Sequence, residues 1–322
     1  MARDNRLDTL KGFLIILVIM GHIIQTIDPG DFINHGVMGL IYIFHMPLFI
    51  LISGYLTHSP EQEPPRVMWR RILDIFVTLL TFHVISVLWV VIDHGDYVRA
   101  AIAFPFGILW YLLSLIYWRI MLYYSPRWLR NRPVVYLAIA LLVSVVVGFT
   151  WWGNTLSIKR ALNFYPFFLL GYFYHQGLIN KRWWSNTKLH AAVSVVLLGL
   201  IFWQFPDCGK VMNGADHYDL AGVPEKLAIL VCSISMCLFF VNIVRDVKWL
   251  RDIGKESMFY YLYHIFLVCI PLYELIKVFD LPSTFPYMVL YTAAVTLTLF
   301  LMSKVKFFQW LTHPTRKSLQ HK

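Results

Sequence analysis

The chain has 322 residues, of which 58% are hydrophobic, 17% aromatic and only 14% charged. Soluble domains carry about 25% charged residues, so this composition excludes an ordinary water-soluble fold and fits an all-α polytopic membrane protein. The formal net charge of +10 would suggest nucleic acid in a soluble domain, but its distribution along the chain gives it another origin, and no nucleic-acid partner is expected.

In chain order, apolar runs long enough to cross ~30 Å of hydrocarbon are expected near 10–27, 38–57, 69–92, 104–124, 133–150, 159–178, 188–204, 224–243, 256–276 and 283–304. No small-residue cleavage site separates "MARDNRLDTLK" from the first run, so that span is expected to stay in the mature protein. The basic residues then cluster in alternate connections. Arg3 and Arg6 lead, followed by Arg66, Arg70 and Arg71, then by Arg127, Arg130 and Arg132. Lys181, Arg182 and Lys188 come next, then Arg245, Lys248, Arg251 and Lys255, and finally Lys306, Arg316 and Lys317. With ten spans every cluster falls on one side, while the opposite connections "DPGDFINHG", "DHGDYVRA" and "QFPDCGKVMNGADHYDLAG" are nearly free of Lys and Arg. That asymmetry is the positive-inside signature. It predicts about ten transmembrane helices in the cell (inner) membrane with both termini cytoplasmic.

A single domain is expected over 1–322, with an amphipathic basic tail from about 305 lying at the cytoplasmic interface. Cys232, Cys237 and Cys269 lie in apolar runs and Cys208 stands alone in a loop, so neither a disulfide framework nor a metal site is expected. "FHMPLFILISGYL" and "FYPFFLLGYFYHQGL" echo one another, each with a mid-span proline and a following Gly-Tyr. One matching segment is too little for a repeat, and the echo reads as two kinked helices with similar packing needs.

Helices rise ~1.5 Å per residue, which fixes the depth of each histidine. His22 follows Leu10 by 12 residues, His45 precedes Thr57 by 12, His83 follows Arg71 by 12 and His264 follows Lys255 by 9. All four are therefore expected roughly 14–18 Å from the cytoplasmic edge. Ionisable side chains at that depth face a bundle interior or an aqueous cavity. His83 is the likeliest bystander, with only Thr81 polar nearby. Pro47 cannot donate to the Ile43 carbonyl four residues back, and Pro166 does the same to Leu162, so each must be satisfied by a neighbour or by water. Lys11 and His22 are three helical turns apart and share one face. Asp8 and Lys11 are one turn apart and can pair, as are Arg70 and Asp74.

Taken together, "RLDTLKGFLIILVIMGH", "FHMPLFILISGYL", "ILWYLLSL", "FYPFFLLGYF" and "IGKESMFYYLYH" resemble the acyltransferase-3 family of membrane acyltransferases, nearest to its fucose 4-O-acetylase-like branch. The resemblance implies transfer of an acetyl group from acetyl-CoA to a hydroxyl of a cell-envelope glycan, such as an O-antigen or exopolysaccharide. The family separates a basic residue, commonly arginine, from a histidine by ten positions on its first helix, and Lys11 and His22 stand in those places. Its arginine pair at the start of the third helix is matched only loosely by Arg66, Arg70 and Arg71.

The candidate catalytic set is then His22, Asp8 and His45. An imidazole has the titration range of a general base, and burial favours its uncharged form. Lys11, Arg70 and Arg71, with Ser53 and Tyr55 of the second motif, form the candidate donor site, because a basic cytoplasmic rim suits the CoA phosphates. Arg160, Trp110, His264 and Glu274 form the candidate acceptor site for an envelope glycan or lipid-linked sugar. Direct transfer and a covalent acyl-histidine both remain open, as does a homo-oligomeric state. Two rival classes are a glycolipid transporter or flippase, which shares kinked helices and midplane polar groups, and a haem or metal protein using the histidines as ligands.

Overall fold

The computed structural model describes residues 4–94, 105, 107–151, 155–179, 184–204 and 217–312. Arg3, Lys181, Arg182, Cys208, Arg316 and Lys317, with most of two poorly basic connections, lie outside the described residues. Helices account for the secondary structure among the described residues: α1 (Asn5–Ile27), α2 (Phe32–Tyr55), α3 (Pro65–His94), α4 (Trp110–Tyr124), α5 (Pro133–Val146), α6 (Ile158–His175), α7 (Thr187–Gln204), α8 (Val223–Ile243), α9 (Lys248–Lys255), α10 (Ser257–Leu267), α11 (Tyr273–Val278), α12 (Phe285–Met302) and α13 (Lys306–Thr312). The chain is an all-α, multi-pass membrane protein, and among the described residues seven helices are long and apolar enough to cross a bilayer.

Each of the ten expected segments is occupied by helix, but not in ten equal spans. The fifth, Pro133–Phe149, is short, and its last turn tightens into a 3-10 helix at Val147–Phe149. The ninth is not one helix. It breaks between α10 and α11 into a π-helical stretch, Val268–Leu272, that contains Pro271. Proline there removes the N–H that would bond Leu267 and crowds that carbonyl, so the regular helix stops at Leu267.

Contacts divide the chain into two compact units. The first comprises Met1–Phe49, Arg182–Met212 and Pro224–Gln309. In it α1 is the central element. Asp4 caps its start by accepting from the Arg6 N–H at 3.0 Å, and the buried Asp8 puts a carboxylate in the first turn, where the helix dipole favours it. Asp31 begins α2 by accepting from the N–H groups of Ile33 and Asn34 at 3.0 and 2.9 Å. Glycines bring α1 and α9 backbone to backbone. A Cβ on Gly12 would overlap the Leu250 carbonyl, and one on Gly254 would overlap that of Asp8, the close approach that small residues permit between membrane helices. Thr9 adds a cap, accepting from the Val247 N–H at 3.2 Å at the start of α9.

Pro47 is accommodated as its chemistry requires. The Ile43 carbonyl that it leaves unbonded lies 2.6 Å from the Ser233 hydroxyl of α8. Ser233 is fully buried, and its hydroxyl is also 2.8 Å from the Ile229 carbonyl of its own helix.

The second unit comprises Ile50–Lys181, Asn213–Val223 and Trp310–Lys322. Its α3–α4 contact is apolar, with Met68, Ile72 and Ile116 buried among Ile75, Ile120 and Tyr123. The end of α2 crosses α6 at two glycines. A Cβ on Gly54 would overlap the Phe168 carbonyl and one on Gly171 would overlap that of Leu51, so the two echoing proline-glycine segments are each other's packing partners. Around Pro166 the flanking carbonyls are held by neighbours: Trp118 Nε1 donates to Ala161 at 2.7 Å and Ser144 Oγ to Asn163 at 2.9 Å.

Candidate active site

Three of the four histidines expected at a common depth belong to the first unit, and the structure connects them. His22 on α1 lies with its ring 5.2 Å from that of His264 on α10, the planes inclined by 38°. On its other side His22 is hydrogen-bonded to the Gln25 side chain, one turn on. Gln25 Oε1 in turn accepts from the Tyr42 hydroxyl of α2 at 2.9 Å, and the Tyr42 ring is 5.2 Å from that of His45. The array therefore runs His264, His22, Gln25, Tyr42, His45. It passes from an exposed side chain, Gln25, through half-buried His22, to a fully buried His264.

Backbone carbonyls fix which nitrogen is protonated in two of these rings. His45 Nδ1 is 2.7 Å from the Ile41 carbonyl, and His264 Nδ1 is 2.9 Å from that of Tyr261 and 3.1 Å from that of Tyr260. A carbonyl oxygen only accepts, so Nδ1–H donates in both rings. In the neutral form each therefore presents Nε2 as a lone pair. Such anchoring orients an imidazole for acid–base work without consuming its basic nitrogen.

Asp8 and Lys11 form the expected pair at 2.7 Å, with 4% and 19% of their side chains exposed. The pair stands at the start of α1, three to four turns from His22, so Asp8 touches no member of the histidine array.

The second unit carries a small cationic pocket. Arg71 of α3, Arg119 of α4 and His58 line it together with Thr57, Pro60, Glu63, Met68, Leu122 and Tyr123. Arg71 pairs with Glu63 at 2.6 Å and lies 3.0 Å from His58 Nδ1. Arg119 Nε is buried with no hydrogen-bond partner. Arg70 is exposed and does not pair with Asp74. Ser53 is engaged at 2.6 Å with the Tyr111 hydroxyl, and Tyr55 packs edge-on against His175 at 4.8 Å. Arg160 lies 5.3 Å from the Trp110 ring centre in a cation–π arrangement, which joins two of the four candidate acceptor residues. Glu274 is exposed on α11 and belongs to the other unit. Among the described residues no group of three or more His, Cys, Asp or Glu side chains is arranged to hold a metal.

A family model described as an acyltransferase domain matches residues 4–304. The chain belongs to the acyltransferase-3 family. Among curated proteins this chain is similar to nodulation protein NolL of Sinorhizobium fredii, 27% identical over 207 residues, covering 58% of this chain and 52% of the relative. It is also similar to nodulation protein NolL of Mesorhizobium japonicum, 26% identical over 225 residues, covering 62% and 54% respectively. The chain thus spans about half the length of the curated relatives it matches. No solved structure matches it significantly.

The links between the histidines were not expected from the sequence. Gln25 carried a usable signal, since it lies one turn from His22 on the same helix face. Tyr42 carried one too, three residues before His45. Arg119, a lone arginine in the aromatic run "LIYWRIML", is the kind of intramembrane charge that marks a site by default.

Proposed function

We propose that this acyltransferase moves an acetyl group from acetyl-CoA, entering from the cytoplasm, to a hydroxyl of a cell-envelope glycan or lipid-linked sugar. Both termini are cytoplasmic in this reading, residues 1–322 act as one functional domain, and the donor is a co-substrate rather than a bound cofactor. The observation that carries it is the placement of His22 between the Gln25 side chain, to which it is hydrogen-bonded, and a buried imidazole, His264.

The steps balance as follows. The sugar hydroxyl gives its proton to the lone pair of His22 as its oxygen attacks the thioester carbonyl carbon. The tetrahedral intermediate collapses with cleavage of the C–S bond, and the proton passes from His22 to the departing thiolate. A covalent acyl-imidazole on His22 would split this into two transfers through the same groups. The Arg71–Arg119 pocket of the second unit holds a guanidinium with an unpartnered N–H, a group suited to a phosphate oxygen. Lys11 and Arg70 contribute long-range attraction rather than a fixed fork. Trp110 and Arg160 supply a stacking face and a cation for a sugar acceptor.

The test compares envelope glycans, by mass spectrometry, from otherwise identical cells with and without the chain. The reading predicts an acetyl mass increment that appears only when the chain is present. Identical glycan masses, with the protein inserted and abundant, would remove it.

A further inference from the structure

Four observations meet at His264. It is fully buried, with none of its surface exposed. Its Nδ1–H is committed to the carbonyls of Tyr260 and Tyr261. Its Nε2, also buried, has no hydrogen-bond partner. And the ring it packs against at 5.2 Å is that of His22. A buried acceptor without a donor is a cost that folded proteins rarely carry unanswered, so the useful question is what donor it waits for.

Among the groups described around it, the candidate is a His22 N–H. Tyr261, whose ring centre lies 6.3 Å away on the same helix, meets His264 through its backbone carbonyl, which accepts from Nδ1 and cannot donate to Nε2. The charges on the elements packed against α10 sit at their ends: Asp8 and Lys11 in the first turns of α1, and Lys248, Arg251, Asp252 and Lys255 on α9. From another helix, the ring described against His264 is that of His22. At 5.2 Å between ring centres, a turn of His22 about its side-chain bonds is enough to set one of its N–H groups on the Nε2 lone pair.

We propose that His264 is the positioning partner of His22: its partnerless Nε2, beside the His22 ring, accepts the His22 N–H and thereby fixes the tautomer of His22, with the second ring nitrogen turned to the Gln25 side. When His22 takes the acceptor's proton it becomes an imidazolium with two N–H groups, and His264 Nε2 accepts a hydrogen bond from one of them. The proton remains available for return to the thiolate, so no other reactant is needed. This inference rests on the acyl-transfer reading for its kinetic consequence. It also removes His264 from the acceptor-binding residues expected from sequence.

The two ring nitrogens can be tested separately, because asparagine reproduces the Nδ1–H donor and glutamine reproduces an acceptor at the Nε2 position. His264→Asn keeps the backbone anchor and is expected to lower kcat roughly a hundredfold, the scale of one acid–base contribution, with KM for the sugar unchanged. His264→Gln restores the acceptor and is expected to stay within about tenfold of the native rate. An Asn variant as fast as the native chain would overturn the proposal, and so would equal losses in both variants when both accumulate.

If neither variant accumulates, a structure of the native chain with a non-reactive acetyl-CoA analogue decides. A His22 nitrogen about 3 Å from His264 Nε2 supports the proposal, and any other group bonded to that nitrogen overturns it. Failure of the broader reading looks different: the native chain itself would transfer no acetyl group, whatever that structure shows.

Discussion

Ile43 shows how far a single residue can be read from the chain. Pro47 sits four positions on and has no N–H, so the Ile43 carbonyl had to find another donor. That much follows from arithmetic along the helix. The donor, Ser233 at 2.6 Å, is 190 positions away, and no local pattern announces it. Removing the hydroxyl strands a buried carbonyl, which costs about 1–3 kcal/mol. Ser233→Ala should therefore lower the thermal unfolding midpoint in detergent, whereas an unchanged midpoint would show that Ile43 has a second donor.

The histidines divide in the same way. Their positions along the helices follow from a rise per residue, but their connection through Gln25 and Tyr42 depends on which helices become neighbours. Lys11 was picked out for sharing a face with His22, and the structure adds its 2.7 Å pairing with the buried Asp8. As a point charge attracting the donor, it should affect binding more than turnover. Lys11→Ala should raise KM for acetyl-CoA with little change in KM for the sugar. An unchanged donor KM would leave Lys11 as a topology residue.

At the scale of elements, hydropathy located every segment but not its continuity. The ninth run is as apolar as its neighbours, yet Pro271 within Val268–Leu272 divides it. The α2–α6 echo was legible as shared packing need, and the reciprocal overlap at Gly54 and Gly171 gives the need a cause.

The connection between α2 and α3 is held electrostatically. Glu61 Oε1 receives Arg130 Nη2 at 2.8 Å and Nε at 3.1 Å, and the Ser59 hydroxyl bonds the other carboxylate oxygen. Partial burial would raise the Glu61 pKa, but the hydrogen bonds from Ser59 and Arg130 outweigh it and hold the carboxyl down to about 2, from an ordinary 4.5. A depressed carboxyl contributes stability above its unfolded pKa and loses it as pH falls through the folded value. The stability gap between native chain and Glu61→Gln should accordingly be constant from neutrality to about pH 5 and close towards pH 2. Unfolding midpoints across that range check it, and a gap that persists at the acid end would mean that the carboxylate is not what Glu61 contributes.

For the whole molecule, the basic clusters orient the chain more surely than they place its contacts. In the proposed topology Arg66, Arg70 and Arg71 share a side with Arg127, Arg130 and Arg132, which requires an even number of crossings between them. Tags at both ends should then be shielded from protease outside intact spheroplasts and cut after lysis. External cleavage of one tag alone would break the proposed topology. What the clusters could not reveal is that Arg71 lines a pocket while Arg70 stands exposed. Adjacent helical residues point about 100° apart, and Arg71 is the one that shares the pocket with Arg119 of α4.

The proposed reaction depends most on one side chain, His22. Purified native chain and His22→Ala, reconstituted in lipid with acetyl-CoA and an acceptor glycan, should accumulate equally. Their transfer rates should differ by at least roughly a hundredfold. Acetylation by the alanine variant at the native rate would contradict the assignment of His22 as the base.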